Sequence, residues 1–283
     1  SLFMQSVVLA KGGRANAIIV TGKNPPIAEQ TAIEELTHYL ELITGADFEV
    51  VRESDMQIKN PCIFIGQTEY AAKQGIELSE LGSEEWIVRT VGSNLIITGG
   101  HPRGTLYGTY HFLEDVLGVH WWNPWGDEHV PSGLTINVGK LDMRGKPVFV
   151  YRDIFMLYGY DRGRFAARNR VNREGERLIL PEYGGGPNYG FPDHAHTFSF
   201  YIPPEKYFKE HPDWFAFMEG RRTAEDNYLC LSNPELQQVF FDKLIEYIRL
   251  SFRNAEGQGF ERPMIFDLSQ SEYSGHCTCE RCK

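Results

Sequence analysis

Apolar positions change their period along the first 120 residues, and the changes outline a fold. Asn16 to Thr21 is a short β-branched run and reads as a strand. After Pro25-Pro26, the residues Ile33, Leu36, Leu40 and Ile43 recur at i, i+3, i+7 and i+10 and stop at Gly45, which predicts one amphipathic helix with a glycine cap. Phe48 to Val51, Cys62 to Ile65, Trp86 to Val91 and Leu95 to Thr98 read as further strands, the last two joined as a hairpin through Gly92-Ser93-Asn94. Gly99 to Gly104 then leads into Leu106, Tyr110, Leu113 and Leu117 on one helical face, ended by Gly118. The prediction is a small mixed sheet with the helices around 28–44 and 103–117 on one face.

The pattern of the second part differs. Val148 to Leu157 reads as a strand and Arg164 to Val171 as a helix, and a long Gly/Pro loop, Pro181 to Pro192, leads to His194-Ala195-His196-Thr197-Phe198. A short helix near Pro204 to Lys209 precedes Trp214 to Met218, and Tyr228 to Leu231 is again a strand. Pro234 sits at N1 of a helix that runs to about Phe252, with Ser232 or Asn233 as its cap. Met264 to Leu268 is another strand. Strand and helix alternate as in a parallel α/β unit, most simply a (β/α) barrel. A full barrel takes about 250 residues, whereas 138 of the 283 residues follow Gly145. The expected fold class is therefore α/β: a small mixed-sheet N-terminal domain, residues 1–145, followed by the first half of a TIM-like barrel, residues 146–283, the remainder coming from a longer chain.

Composition supports two parts with different jobs. Residues 1–145 carry 10 basic and 18 acidic side chains and 12 of the 37 aromatic ones, whereas residues 146–283 carry 18 basic, 20 acidic and 25 aromatic ones. With 42% hydrophobic and 23% charged residues the chain is globular in composition. No apolar run approaches the roughly 18 residues of a membrane span, so no membrane insertion is expected. The formal charge of −10 opposes binding to phosphate backbones, and a nucleic-acid partner is not expected. Ser1 opens no charged and apolar leader pattern, so either a signal peptide has been removed or none existed. A periplasmic or extracellular location is the expectation.

Neither glycine-rich stretch is a nucleotide site. Gly99 to Gly108 lacks both the GK[ST] ending of a phosphate loop and the spacing of a dinucleotide turn. Tyr183 to Gly190 lacks a phosphate-loop lysine and is either a mobile rim over a cleft or a plain connection. No cofactor is expected. Trp121, Trp122 and Trp125 are either a sugar platform or, as expected from their place before the boundary, at least two of them buried where the domains meet.

Longer motifs carry a resemblance. Arg103-Gly104-Thr105-Leu106-Tyr107-Gly108, Phe112-Leu113-Glu114, Leu117-Gly118-Val119 and the tryptophans with Pro124 resemble the domain that precedes the catalytic barrel in family 20 hexosaminidases and family 67 α-glucuronidases. The second part is similar to the bacterial domain of unknown function 4838 through Phe165 to Asn172, His211-Pro212-Asp213-Trp214-Phe215, Gly220-Arg221-Arg222, Leu229 to Pro234 and the cysteine cluster. The resemblance implies a glycosidase-like fold and a carbohydrate substrate.

A glycosidase needs a carboxylic acid beside the glycosidic oxygen and a second group that supports the oxocarbenium-like transition state. In barrels these stand at the carboxyl ends of strands. Glu272 just past the fourth strand and Asp267 within it are the catalytic candidates, and Asp153 in the first strand is a candidate for substrate binding. The resembled hexosaminidases place an Asp-Glu pair where this chain has Ser271-Glu272, which speaks against an acetamido-assisted mechanism. A glucuronidase-like scheme asks only for an acid there. His194 and His196 bind sugar hydroxyls, or form two ligands of a metal, or are a satisfied structural pair. Six arginines between Arg162 and Arg177 are either a solvated face or place Arg168, with Asn169, to bind an acidic sugar through a bidentate pair. Tyr228 is a further substrate-binding candidate among the aromatic residues expected to line the cleft.

His276-Cys277-Thr278-Cys279-Glu280-Arg281-Cys282 packs four soft ligands into seven residues. Disulfide or free thiols are the first reading, and a closed zinc site, completed by His276 or Cys230, is the alternative. Either would be structural. Three functions follow: a glycoside hydrolase acting on a poly- or oligosaccharide, a carbohydrate-binding protein on a degenerate glycosidase barrel, and a metal-dependent hydrolase using His194 and His196.

Overall fold

The computed structural model describes residues 6–55, 61–154, 162–173, 179–192, 195–258, 262–271 and 275–283. Contacts divide the chain into two compact units, Ser1–Gly186 and Pro187–Lys283.

The first unit is built on a mixed sheet of six strands: β1 (Ile18–Thr21), β2 (Val50–Arg52), β3 (Cys62–Ile65), β4 (Trp86–Val91), β5 (Asn94–Gly99) and β6 (Asp142–Gly145). Their spatial order is β6-β4-β5-β3-β1-β2. Pairing is parallel from β2 through β5 and antiparallel for β5–β4 and β4–β6. The β4–β5 hairpin turns at Gly92, whose φ of +59° favours glycine.

Alternation along each strand sets the two faces. Ile19, Ile63, Ile65, Val88, Leu95 and Ile97 share a core with Leu36, Tyr39 and Leu40 of α1 (Ile27–Thr44) and with Leu106, Tyr107 and Tyr110 of α2 (Gly104–His111). The predicted α1 is present with its cap, the Gly45 N–H donating to the Glu41 carbonyl at 2.7 Å. Val20, Cys62, Phe64, Ile87 and Ile96 face the other way, where the short helix Glu69–Lys73 packs through Ala71. That covering was not in the sequence pattern, because five residues are too few to display a helical period.

The first unit runs past the compositional shift near Gly145, and Arg152, Arg168 and Arg170 are tied into it by the ion pairs described below. Of the three indoles only Trp121 is buried, at 6% exposure, while Trp122 and Trp125 are exposed at 63% and 55%. The expectation of two buried rings therefore fails. Trp121 fits between Tyr39 and Tyr110 and donates its indole N–H to the Tyr39 hydroxyl at 2.8 Å, whereas Trp122 stacks on His120 outside that core.

Among its described residues the second unit has little regular sheet. A hairpin of β7 (Phe217–Met218) and β8 (Arg221–Arg222) is its two-stranded sheet. Its main core joins Phe198, Tyr201, Ile202, Trp214, Phe215 and Leu229 to Leu236 and Phe240 of the long helix Pro234–Gln258. Asn233, one of the two predicted caps, accepts the N–H groups of Glu235 and Leu236 at 3.0 and 3.2 Å. The predicted barrel strands appear among the described residues as single bridges: Asp153 with Arg173 in the first unit, and Tyr189 with Ile265 in the second, both parallel. Leu229 pairs with Phe215 in antiparallel fashion. Parallel strands are stable when both faces are covered, and Val148, Phe149 and Val150 are exposed at 90%, 72% and 60%.

Candidate functional site

In the second unit the end of the predicted fourth strand meets the histidine loop. Two residues past Ile265, the Asp267 carboxylate accepts hydrogen bonds on Oδ2 from Thr197 Oγ1 at 2.9 Å and from Ser269 Oγ at 2.6 Å. The Asp267 carbonyl accepts from the Tyr201 hydroxyl at 3.2 Å. His196 donates its backbone N–H to Ser269 Oγ at 2.9 Å, and its Nδ1 lies 3.2 Å from the Gln270 carbonyl. Its φ of +56° is a left-handed conformation that a histidine adopts at a cost. Burial first, and the charge of Asp267 second, push the Tyr201 phenol up to about 12. Asp267 and His196 are thus brought together, with the carboxylate fixed by two hydroxyls and the imidazole left exposed. Glu272 and His194 lie outside the described residues.

The other sequence candidates have different surroundings. Asp153, in the first unit, is exposed and accepts the Tyr151 hydroxyl at 2.8 Å. Arg168, at the end of α3 (Arg162–Arg168), is held by the first unit itself: Nε and Nη2 donate to the two oxygens of Glu35 at 3.0 and 3.1 Å, and the guanidinium lies 5.4 Å from the Tyr39 and Trp121 rings. The fork that would hold an acidic sugar is taken by a protein carboxylate. Asn169 donates to the Phe165 carbonyl at 2.9 Å, a bond local to the helix end. Tyr228 is buried at 3% exposure and borders a small polar cavity with Arg221, Thr223 and Asp226. Its ring lies so near Gly275 that a Cβ there would stand 2.3 Å from Cε2.

Sequence reasoning missed the carboxylates that pair with Arg168 and Arg170 of the arginine run and with Arg103 and Arg152 outside it. Glu84 accepts from Arg103 Nε, Arg152 Nη1 and Nη2, and Asn172 Nδ2, each at 2.9 Å. Burial raises its carboxyl, but these donors outweigh burial and hold it below the usual range. Glu35 goes the other way, because burial outweighs Arg168 and Arg164. Arg170 pairs with Glu114. The loop after α3 is tied in as well: Arg103 Nη1 donates to the Gly184 carbonyl at 2.9 Å, and a Cβ on Gly184, at φ +87°, would stand 2.3 Å from Arg103 Cγ. The Gly184 end of that loop is an anchored connection. The available signal was the surplus of acids before residue 146 facing the arginines after it.

Cys277, Cys279 and Cys282 converge on Cys230, and all four sulfurs lie within 4.8 Å of one another. His276 is exposed and stays outside the group. Burial pushes the Cys279 thiol up, but hydrogen bonds from Cys277, the Arg281 backbone, Cys230 and Cys282 outweigh it and bring the thiol down to about 6. Cys277 is pushed up to about 11, by burial first. Neighbouring thiols titrate as a set, one ionising at the expense of the next.

Residues 7–112, which carry most of the mixed sheet and its covering helices, match the family described as Glycosyl hydrolase family 67 N-terminus. Residues 121–283, more than half of the chain, match the family described as Domain of unknown function (DUF4838), and the chain belongs to that family. No curated protein matches it. Similar solved structures include a family GH115 4-O-methyl-α-glucuronidase, BtGH115A, with specificity for decorated arabinogalactans, at 16% identity and a TM-score of 0.48 over 85% of this chain and 41% of that one. The Streptomyces plicatus N-acetyl-β-hexosaminidase in complex with thio-NAglucal aligns at 12% identity and a TM-score of 0.40 over 60% of this chain and 30% of that one. A GH20 exo-β-N-acetylglucosaminidase from Vibrio harveyi aligns at 12% identity and a TM-score of 0.36 over 60% and 22%. The chain spans less than half the length of each of these structures. None of the helices among the described residues is long and apolar enough to cross a membrane.

Proposed function

We propose that the chain is part of a glycoside hydrolase that acts on a poly- or oligosaccharide by carboxylate general acid catalysis. In this reading residues 1–145 form the preceding domain, residues 146–283 supply the first strands of a (β/α) barrel, and a longer chain supplies the rest. Glu272 is the general acid and Asp267 a further catalytic carboxylate near the same strand end, with the base of a glucuronidase-like scheme on a later strand of the longer chain. The observation that carries the reading is the fastening of Asp267 by Thr197 and Ser269 beside His196, because a carboxylate must be held in one orientation before it can support charge at a sugar ring. Asp153, Asn169, His194 and His196 bind sugar hydroxyls. The acidic-sugar form of this reading rested on Arg168, whose fork Glu35 occupies.

A general acid must be protonated when substrate arrives. In the full-length protein, Glu272→Gln keeps the shape and removes the proton, so turnover of an unactivated oligosaccharide should fall by roughly 10²–10⁴ while binding persists. Aryl glycosides with good leaving groups should lose less. An unchanged rate removes Glu272 from the role. One observation favours a second reading, a carbohydrate-binding protein without hydrolysis: Ser271, standing where hexosaminidases carry aspartate, donates its hydroxyl to the Asp226 carbonyl at 2.9 Å as a loop tie. Sugar binding by wild-type protein with no release of product would select it.

A further inference from the structure

Two stretches far apart in sequence deliver sulfur to one point, and backbone hydrogen bonds fix each of them. The Cys230 N–H donates to the Trp214 carbonyl at 2.7 Å, which holds the strand end carrying the first sulfur. On the other side the Thr278 N–H donates to the Phe217 carbonyl at 2.8 Å, and the Cys282 N–H closes a turn on the Cys279 carbonyl at 2.9 Å. Cys277, Cys279 and Cys282 then point into the space that Cys230 faces. Cys230 Sγ lies 3.6 Å from Cys279 Sγ and 3.8 Å from Cys282 Sγ. A disulfide needs about 2.05 Å between sulfurs. Four thiolates around zinc, with bonds of about 2.3 Å, stand about 3.8 Å apart along the edges of the tetrahedron. The spacing is that of ligands around an ion, and all four are free thiols.

We propose that Cys230, Cys277, Cys279 and Cys282 form a closed tetrahedral zinc site that clamps the second unit. Each thiol gives up its proton on binding, so the ion and four thiolates carry a net charge of minus two, and the surroundings answer that charge. Arg222 Nη1 lies 3.7 Å from Cys277 Sγ, the Phe217 N–H donates to the same sulfur at 3.3 Å, and Ser232 Oγ lies 3.0 Å from Cys282 Sγ. Such donors orient thiolate ligands and spread their charge. Four protein ligands leave no open position for water or substrate, so the site is structural. Of ions that accept four sulfurs, zinc binds such a site more tightly than ferrous iron. The site closes a loop of 49 positions between Cys230 and Cys279, which contains the long helix and Asp267. This inference does not depend on the glycosidase reading.

The test uses the purified chain. Elemental analysis should find one zinc ion per chain, and exchange with cobalt(II) should give a thiolate-to-cobalt charge-transfer band with the intense visible bands of a tetrahedral sulfur site. Cys230→Ser and Cys282→Ser should each lose most of the zinc, whereas Cys62→Ser, in the β3 strand of the first unit, should keep it. In wild-type protein the four thiols should be shielded from a thiol reagent until a chelator is added. Absence of metal, a disulfide within the cluster, iron in place of zinc, or full zinc retention by Cys230→Ser would each overturn the assignment. The cobalt spectrum of wild-type protein decides the matter even if a variant fails to fold.

Discussion

The two compact units are held together by different means. In the first, alternate positions of β1, β3, β4 and β5 feed two apolar faces, and buried glutamates gather the arginines of residues 152–170. In the second, regular pairing among the described residues is a two-residue hairpin and single bridges, and the work falls to stacked rings, one long helix and four sulfurs. Tyr201 stacks on Phe240 at 4.6 Å, and His211 on Trp214 at 4.0 Å. Sheet ladders spread stabilisation over many small terms. A unit without them depends on a few side-chain ties, so the loss of one tie there should matter more.

The largest test of that contrast is metal removal. Structural zinc sites in small domains contribute on the order of 10 kcal/mol to folding, so chelation should expose residues 187–283 to protease while residues 6–186 stay protected. Equal protection of both units after chelation would show that the sulfurs are not a principal tie.

Arg168 is next. Arg168→Ala leaves the buried Glu35 carboxylate without its bidentate partner, which should destabilise the first unit by about 3–5 kcal/mol in denaturant unfolding. A change below about 1 kcal/mol, together with weakened sugar binding, would return Arg168 to a ligand role.

A smaller and signed effect separates Glu35 from Glu84. The Glu35 carboxyl is raised in the folded state, so its contribution is full below its ordinary value of 4.5 and is lost as pH rises through the folded value. Glu84 is lowered, so its contribution is present above 4.5 and is lost as pH falls through the folded value. In unfolding measured across pH, Glu35→Gln should flatten the decline above 4.5, and Glu84→Gln should flatten the decline below it. The same slope change in both variants would contradict the burial difference. Smallest of all, Lys73→Ala removes an exposed pair with Glu69 and should shift stability by no more than about 0.5 kcal/mol.

Much of the first unit was legible because its signals are local. Ile33, Leu36, Leu40 and Ile43 with Gly45 define α1 within one stretch, and Gly92 marks the hairpin. The short helix Glu69–Lys73 was not legible, since its one buried position, Ala71, shows no period. At the candidate site the sequence offered Asp267 and His196 as separate candidates, and the hydroxyls of Thr197 and Ser269 that hold the carboxylate carry no pattern of their own. Arg168 read equally well as a surface charge or a sugar ligand, because nothing near it in sequence points to Glu35, 133 positions away.

By itself the sequence determined the alternation that makes an α/β protein, the cap at Gly45, the two-part distribution of charge and rings, and the presence of three cysteines in one turn. Only the tertiary structure decided which charges pair, which indole is buried, which of Ser232 and Asn233 caps the long helix and that Cys230 joins those three cysteines. Periodicity and capping follow from the backbone geometry of consecutive residues, whereas the meeting of Cys230 with Cys279 across 49 positions depends on how the intervening helix and loops return, and no local pattern encodes that.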